Sequence, residues 1–135
     1  MSHPNPPHGL TPEELLAALH LCAGGTTEHA AIDLLAAHGI WLHRPEFTVH
    51  LDVSTDPDLT GDAPAVATID WETAARRINR MPGSTGELGM LRIALSLAIG
   101  LPIDLGDAVS GLDRANARLA ATAVQAAAGH GKDAL

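Results

Sequence analysis

Tyrosine is absent, phenylalanine occurs once and tryptophan twice, so Trp41, Phe47 and Trp71 are the only aromatic residues in 135. Sheet cores lean on aromatic and β-branched side chains. Here alanine dominates the apolar complement, and a mostly helical fold follows more naturally than a β-sandwich. A single cysteine, Cys22, excludes an internal disulfide and fits a reducing cytoplasm. Basic charge is scarce: 8 Lys and Arg stand against 16 Asp and Glu, a net charge of −8. That balance disfavours nonspecific binding to nucleic acid or to an anionic membrane. No apolar run reaches the roughly 20 residues a membrane span needs, and the longest candidate, over 87–99, is interrupted by Arg92. The segment from Met1 to Gly9 lacks the apolar stretch of a signal peptide. G-x-S-x-G, Walker, H-E-x-x-H and cysteine-nucleophile signatures are all missing, so catalysis has little support and no cofactor is implied.

What is present is helix punctuation. Thr11-Pro12-Glu13-Glu14 is a helix start with proline at the first helical position. Leu15, Leu16, Leu19 and Ala23 supply its buried face, and Gly24-Gly25 stop it. Thr26 or Thr27 caps a second helix to His38, with Ile32 and Leu35 inward and Gly39 just past its end. Phe47 to Val53 alternates and predicts a strand; Ala65 to Ile69 predicts its partner across an acidic, turn-rich link. Asp70 caps a helix over 71–80, with Trp71, Ala74, Ala75 and Ile78 on one face and Arg76, Arg77 and Arg80 on the other. Ser84 and Glu87 form a capping box. The helix they open is apolar nearly all round, which predicts that protein surrounds it. Gly100 and Pro102 end it. Asp104 caps a short helix, and Asp113 caps a last one with a core stripe of Leu112, Ala115, Leu119, Ala123 and Ala126.

Several patterns invite a chemical reading. Gly83, Gly86 and Gly89 give G-x-x-G-x-x-G, but the dinucleotide mechanism needs a strand directly before the loop and none is predicted there. Asp56, Asp58, Thr60 and Gly61 fit the first, third, fifth and sixth positions of a calcium loop, yet Ala67 stands where a bidentate Glu is required. D-x-D-x-T in the same run is the motif of aspartate-nucleophile phosphatases, on a chain too short for that fold. His20, Cys22, His29, His38 and His43 are suitable metal ligands, but no two share a helix face in the H-x-x-x-H manner; no metal is assigned. Leu105 to Gln125 forms a helix-turn-helix-like unit that would present Arg114, Arg118 and Gln125 to a major groove, flanked unfavourably by Asp104, Asp107 and Asp113.

The run from Leu91 to Ala98, then Pro102 to Ala108, then Gly111 to Asn116, together with His38 to His43 and Ile69-Asp70-Trp71, resembles a recurrent pattern of small uncharacterised actinobacterial proteins. Seven arginines against one lysine, with abundant Ala, Gly and Asp, agree with a GC-rich bacterial genome. The resemblance implies origin and a single folding unit, and brings no activity or site residue with it.

The sequence therefore predicts one predominantly helical α+β domain over 11–128, with flexible tails at 1–10 and 129–135. An N-terminal helical hairpin, a small antiparallel β-hairpin and a C-terminal helical bundle pack around helix 87–99. The expected function is a cytoplasmic, non-enzymatic protein-interaction or regulatory module. Its acidic protein partner would meet Arg76, Arg77 and Arg80, and Gly89 and Ser96 would let a homodimer approach closely. The alternative is a DNA-binding regulator using residues 104–128.

Overall fold

The computed structural model describes residues 9–130; the expected tails lie mostly outside them, and Leu10, assigned to a tail, instead packs partly buried on the core. The first helix, α1 (Pro12–Cys22), opens on a reciprocal cap: the Glu14 N–H donates to Thr11 Oγ1 at 3.1 Å and the Thr11 N–H to Glu14 Oε1 at 2.9 Å. α2 (Thr26–His38) starts without a side-chain cap, at Gly25 rather than at either threonine. One 3₁₀ turn, Trp41–His43, leads into the short α3 (Pro45–Thr48).

The strand expected from Phe47 begins only at Leu51, as β1 (Leu51–Ser54). Pro45 opens a helical turn, where a missing N–H costs nothing, and the Arg44 carbonyl accepts from the N–H groups of Phe47 and Thr48 at 2.9 and 2.8 Å. In a strand Phe47 and Val49 would share a face. Here Phe47 is fully buried and Val49 is 73% exposed. After a second short helix, α4 (Pro57–Thr60), the chain returns as β2 (Val66–Ile69), antiparallel to β1, with Leu51 opposite Ile69 and Ser54 opposite Val66. Ala67 and Ile69 face the core beneath α1, and Thr68 faces out. The Asp70 N–H donates to the His50 carbonyl at 2.8 Å and closes the base of the hairpin.

α5 (Trp71–Arg77), capped by Asp70, tightens into a 3₁₀ turn over Ile78–Arg80. α6 (Thr85–Ile99) carries the expected Ser84–Glu87 capping box and ends at Gly100, whose φ of +70° is a left-handed conformation that glycine adopts without a Cβ penalty. α7 (Leu105–Ser110) and α8 (Arg114–Ala127) follow, each opened by an aspartate accepting an N–H three residues on.

The architecture is a predominantly helical α+β fold with one two-stranded antiparallel sheet among the described residues. α6 lies against α2, α5, α7 and α8, which makes it the axis of the bundle. Leu35, Trp41, Phe47, Met90, Leu91 and Leu95 are fully buried around it. Each such aliphatic side chain contributes about 1.5–3 kcal/mol relative to exposure. The stripe on α8 is displaced from expectation: Ala120 and Ala123 are buried and Leu119 partly so, whereas Ala115 is exposed. The helix stays amphipathic all the same, with Arg114, Arg118 and Gln125 exposed on the face opposite that stripe. No described helix is long and apolar enough to cross a membrane.

Candidate functional site

An open, shallow cleft of about 350 Å³ is lined by Glu46, Val49, His50, Thr73, Arg77, Arg80 and Met81. Local folding explains each wall. The α3 turn buries Phe47 and thereby turns Glu46, Val49 and His50 outward on one side. α5 brings Thr73 and Arg77 to the other side, and the 3₁₀ turn brings Arg80 three residues later. Buried Met81 forms part of the floor.

Of the three arginines expected on one face, the structure gathers two at this cleft. Arg76 turns back toward the helix start: its Nη2 donates to Thr73 Oγ1 at 3.1 Å, and the Thr73 hydroxyl donates to Asp70 Oδ2 at 2.7 Å. Those bonds from Thr73, together with its backbone N–H, hold the Asp70 carboxyl below its ordinary range. Arg77 and Arg80 are exposed, and among the described residues neither makes an ion pair or a side-chain hydrogen bond. The acidic link between the two strands forms no ion pair with either arginine among the described residues. Two guanidinium groups near a helix C-terminus suit the macrodipole, and each offers a planar fork that fits a carboxylate with two parallel hydrogen bonds. Glu46 is the one carboxylate of the wall, which sets an acidic limit on one side of the cleft.

The glycines of the G-x-x-G-x-x-G run serve packing. A 3₁₀ turn, not a strand, precedes them. A Cβ on Gly86 would lie 2.8 Å from the Gly111 carbonyl oxygen, and one on Gly89 2.4 Å from that of Ala108. Gly89 is thus covered by α7 of the same chain and offers no surface for a dimer; Ser96 remains partly exposed. Beside the α6 start lies a broad groove of about 630 Å³ that includes His38, Glu87, Asp113 and Asn116. Arg44 ties this region together: it bonds Glu87 at 3.0 Å and the Pro82 carbonyl at 3.1 Å, with its guanidinium 5.0 Å from the Trp41 ring centre. The Trp41 indole N–H donates to the Glu87 carbonyl at 2.9 Å. The Ser84 N–H, and secondarily Arg44, keep the Glu87 carboxyl below its usual range. Burial depresses the His38 imidazole, whose Nδ1 has no partner.

Sequence spacing missed a cluster between α1 and α2. His20 Nδ1 and His29 Nδ1 are 2.6 Å apart, and His20 Nε2 is 2.7 Å from Asp33 Oδ1. The rings are within 13° of parallel with centroids 4.9 Å apart. That separation exceeds the N···N distance by about one ring width, so the rings meet edge to edge, not face to face. His29 and Asp33 stand four apart on one helix face, which was a readable signal, but their partner lies across the hairpin. Among the described residues no group of three or more His, Cys, Asp or Glu is placed to hold a metal. In the would-be calcium loop, Asp56 caps α4 through the Asp58 N–H at 3.0 Å, and Ala67 is buried in β2. Arg114, Arg118 and Gln125 are exposed on α8, behind a turn that includes Asp113.

Comparison with protein families, with curated proteins and with solved structures gives no match to this chain.

Proposed function

We propose that the chain is a protein-interaction module whose Arg77/Arg80 cleft takes an acidic segment of a partner protein. One observation carries the reading. In a chain of net charge −8, these two arginines stand without a carboxylate partner among the described residues, in a cleft that also exposes Val49. An apolar anchor beside unpaired guanidinium groups is the composition of an interface centre, where arginine is enriched and isolated lysine and acid are depleted. Exposed ion pairs contribute about 0–1 kcal/mol each, so the charges set orientation and on-rate while the apolar contact supplies affinity.

The test is capture of partners from native-host lysate, after nuclease treatment, on three immobilised proteins: wild type, Arg76→Glu, and the double variant Arg77→Glu/Arg80→Glu. The double variant loses the partner and Arg76→Glu retains it. Recovery of the same partner by all three would remove the cleft from the interface.

A further inference from the structure

We infer that the partner of the Arg77/Arg80 cleft is a second copy of this chain, contributing the acidic tip of its own β-hairpin. The inference rests on the cleft reading above and names its occupant. Between β1 and β2 the tip presents Asp56, Asp58 and Asp62, all exposed, and Leu59 at 67% exposure. None of these aspartates is ion-paired among the described residues. The tip is therefore acidic with one protruding apolar side chain. The cleft carries two unpaired arginines against the single carboxylate of Glu46, a net positive charge, with one protruding apolar side chain, Val49, beside buried Met81. The two surfaces complement each other in charge and in apolar character, and both lack partners.

One molecule cannot join them. Val49 and His50 sit at the base of the hairpin, where the Asp70 N–H bonds the His50 carbonyl. The tip lies beyond the four residues Leu51–Ser54, and a strand of that length separates base from tip by roughly 13 Å. A paired two-stranded hairpin cannot fold back over that distance. Two copies related by a two-fold axis satisfy both surfaces at once, each tip in the other's cleft, and the contact closes. The proposed surface is distinct from the Gly89/Ser96 strip, whose first residue is covered within the chain.

The test uses sedimentation velocity over a concentration series on the whole chain. Wild type runs as a monomer–dimer equilibrium. Arg77→Glu/Arg80→Glu opposes acid to acid, and Asp58→Arg/Asp62→Arg opposes base to base; each alone weakens dimerisation at least ten-fold. Mixing the two variants in equal amounts restores the dimer, because both contacts of the mixed pair are again complementary. Restoration also demonstrates that both variants are folded. Asp56 is left unchanged because it caps α4. A monomeric wild type, a dimer indifferent to either reversal, failure of the mixture to pair, or growth beyond the dimer overturns the inference. Should wild type be monomeric while lysate capture still depends on Arg77 and Arg80, self-pairing fails and the cleft reading stands; loss of both results removes the cleft itself.

Discussion

Replacing Gly89 with alanine asks whether α7 is held on α6 by direct backbone contact. The added Cβ would fall 2.4 Å from the Ala108 carbonyl oxygen, 3.3 Å from its carbon and 3.6 Å from its Cα. Real Cβ contacts essentially never fall below 3.0 Å and are ordinary only from 3.4 Å, so the carbonyl must retreat by at least 0.6 Å, and by 1.0 Å to reach an unstrained contact. All three obstructing atoms are main chain, and no rotamer change relieves them. α7 itself has to move, together with the link that joins it to α6. Two effects then oppose each other. Alanine within a helix is favoured over glycine by about 0.8–1.0 kcal/mol. Overpacking against atoms that cannot yield costs about 1–3 kcal/mol, occasionally more. The rigid obstruction puts this site in the upper part of that range, for a net loss of about 1–2 kcal/mol. For a chain of this size that lowers Tm by roughly 3–8 °C. Urea unfolding followed by tryptophan fluorescence should show a lower midpoint at unchanged slope. Gly111→Ala is the comparison: its Cβ meets Thr85 Cγ2 at 2.7 Å, the end of a side chain that can rotate away, so the loss should be smaller. A Gly89→Ala protein as stable as wild type, or more so, would refute the reasoning. Helix propensity would then have prevailed and α7 would rest on α6 without tight contact.

Trp41 is fully buried and bonded to the Glu87 carbonyl; Trp41→Ala should cost about 3–5 kcal/mol in chemical denaturation, and a cost below 1 kcal/mol would mean that the core closes without it. His38 is held below its ordinary value of 6.5 mainly by burial, so the unfolded chain takes this proton first. Its contribution is complete above pH 6.5 and is lost as pH falls from there to its folded-state value. His38→Gln should therefore flatten the decline in unfolding free energy between pH 7.5 and 5.5, and an unchanged decline would contradict the assignment. The Glu87 carboxyl is held below 4.5, so its stabilisation is present above pH 4.5 and disappears as pH falls through its folded-state value. Acid titration of Glu87→Gln should show a shallower loss in that window than wild type. Removing the cross-helix bond with His29→Ala should cost about 0.5–1.5 kcal/mol, read as faster amide exchange at the α1–α2 turn; exchange equal to wild type would make the bond inert.

What was legible in the sequence was what is local. The boxes at Thr11/Glu14 and Ser84/Glu87, and the aspartate caps at 70, 104 and 113, act within a single helical turn, and each holds as read. The alternation over 47–53 misled because Phe47 is buried either way; Pro45 followed by Glu46 was the stronger cue for a helical turn. Arg77 and Arg80 could be paired from their spacing, but Val49 and His50 reach them from nearly thirty residues upstream. Helical spacing can announce only histidines that share one helix, and the pair that forms bridges two. Gly86 and Gly89 carry no side chain whose pattern could announce that they abut the carbonyls of Gly111 and Ala108.

The histidine bridge between α1 and α2 has a direction. An ionised Asp33 only accepts, so His20 must carry hydrogen on Nε2 to meet it. With both rings neutral, His20 Nδ1 is then a bare lone pair, and the short contact forms only if His29 bears its hydrogen on Nδ1. One carboxylate thereby selects the tautomer of two successive rings. The lone pair of His29 Nε2 becomes the open ring-acceptor end of the chain. Hydrogen on both Nδ1 atoms would set two donors face to face, so the closed bridge has room for a single proton between its rings.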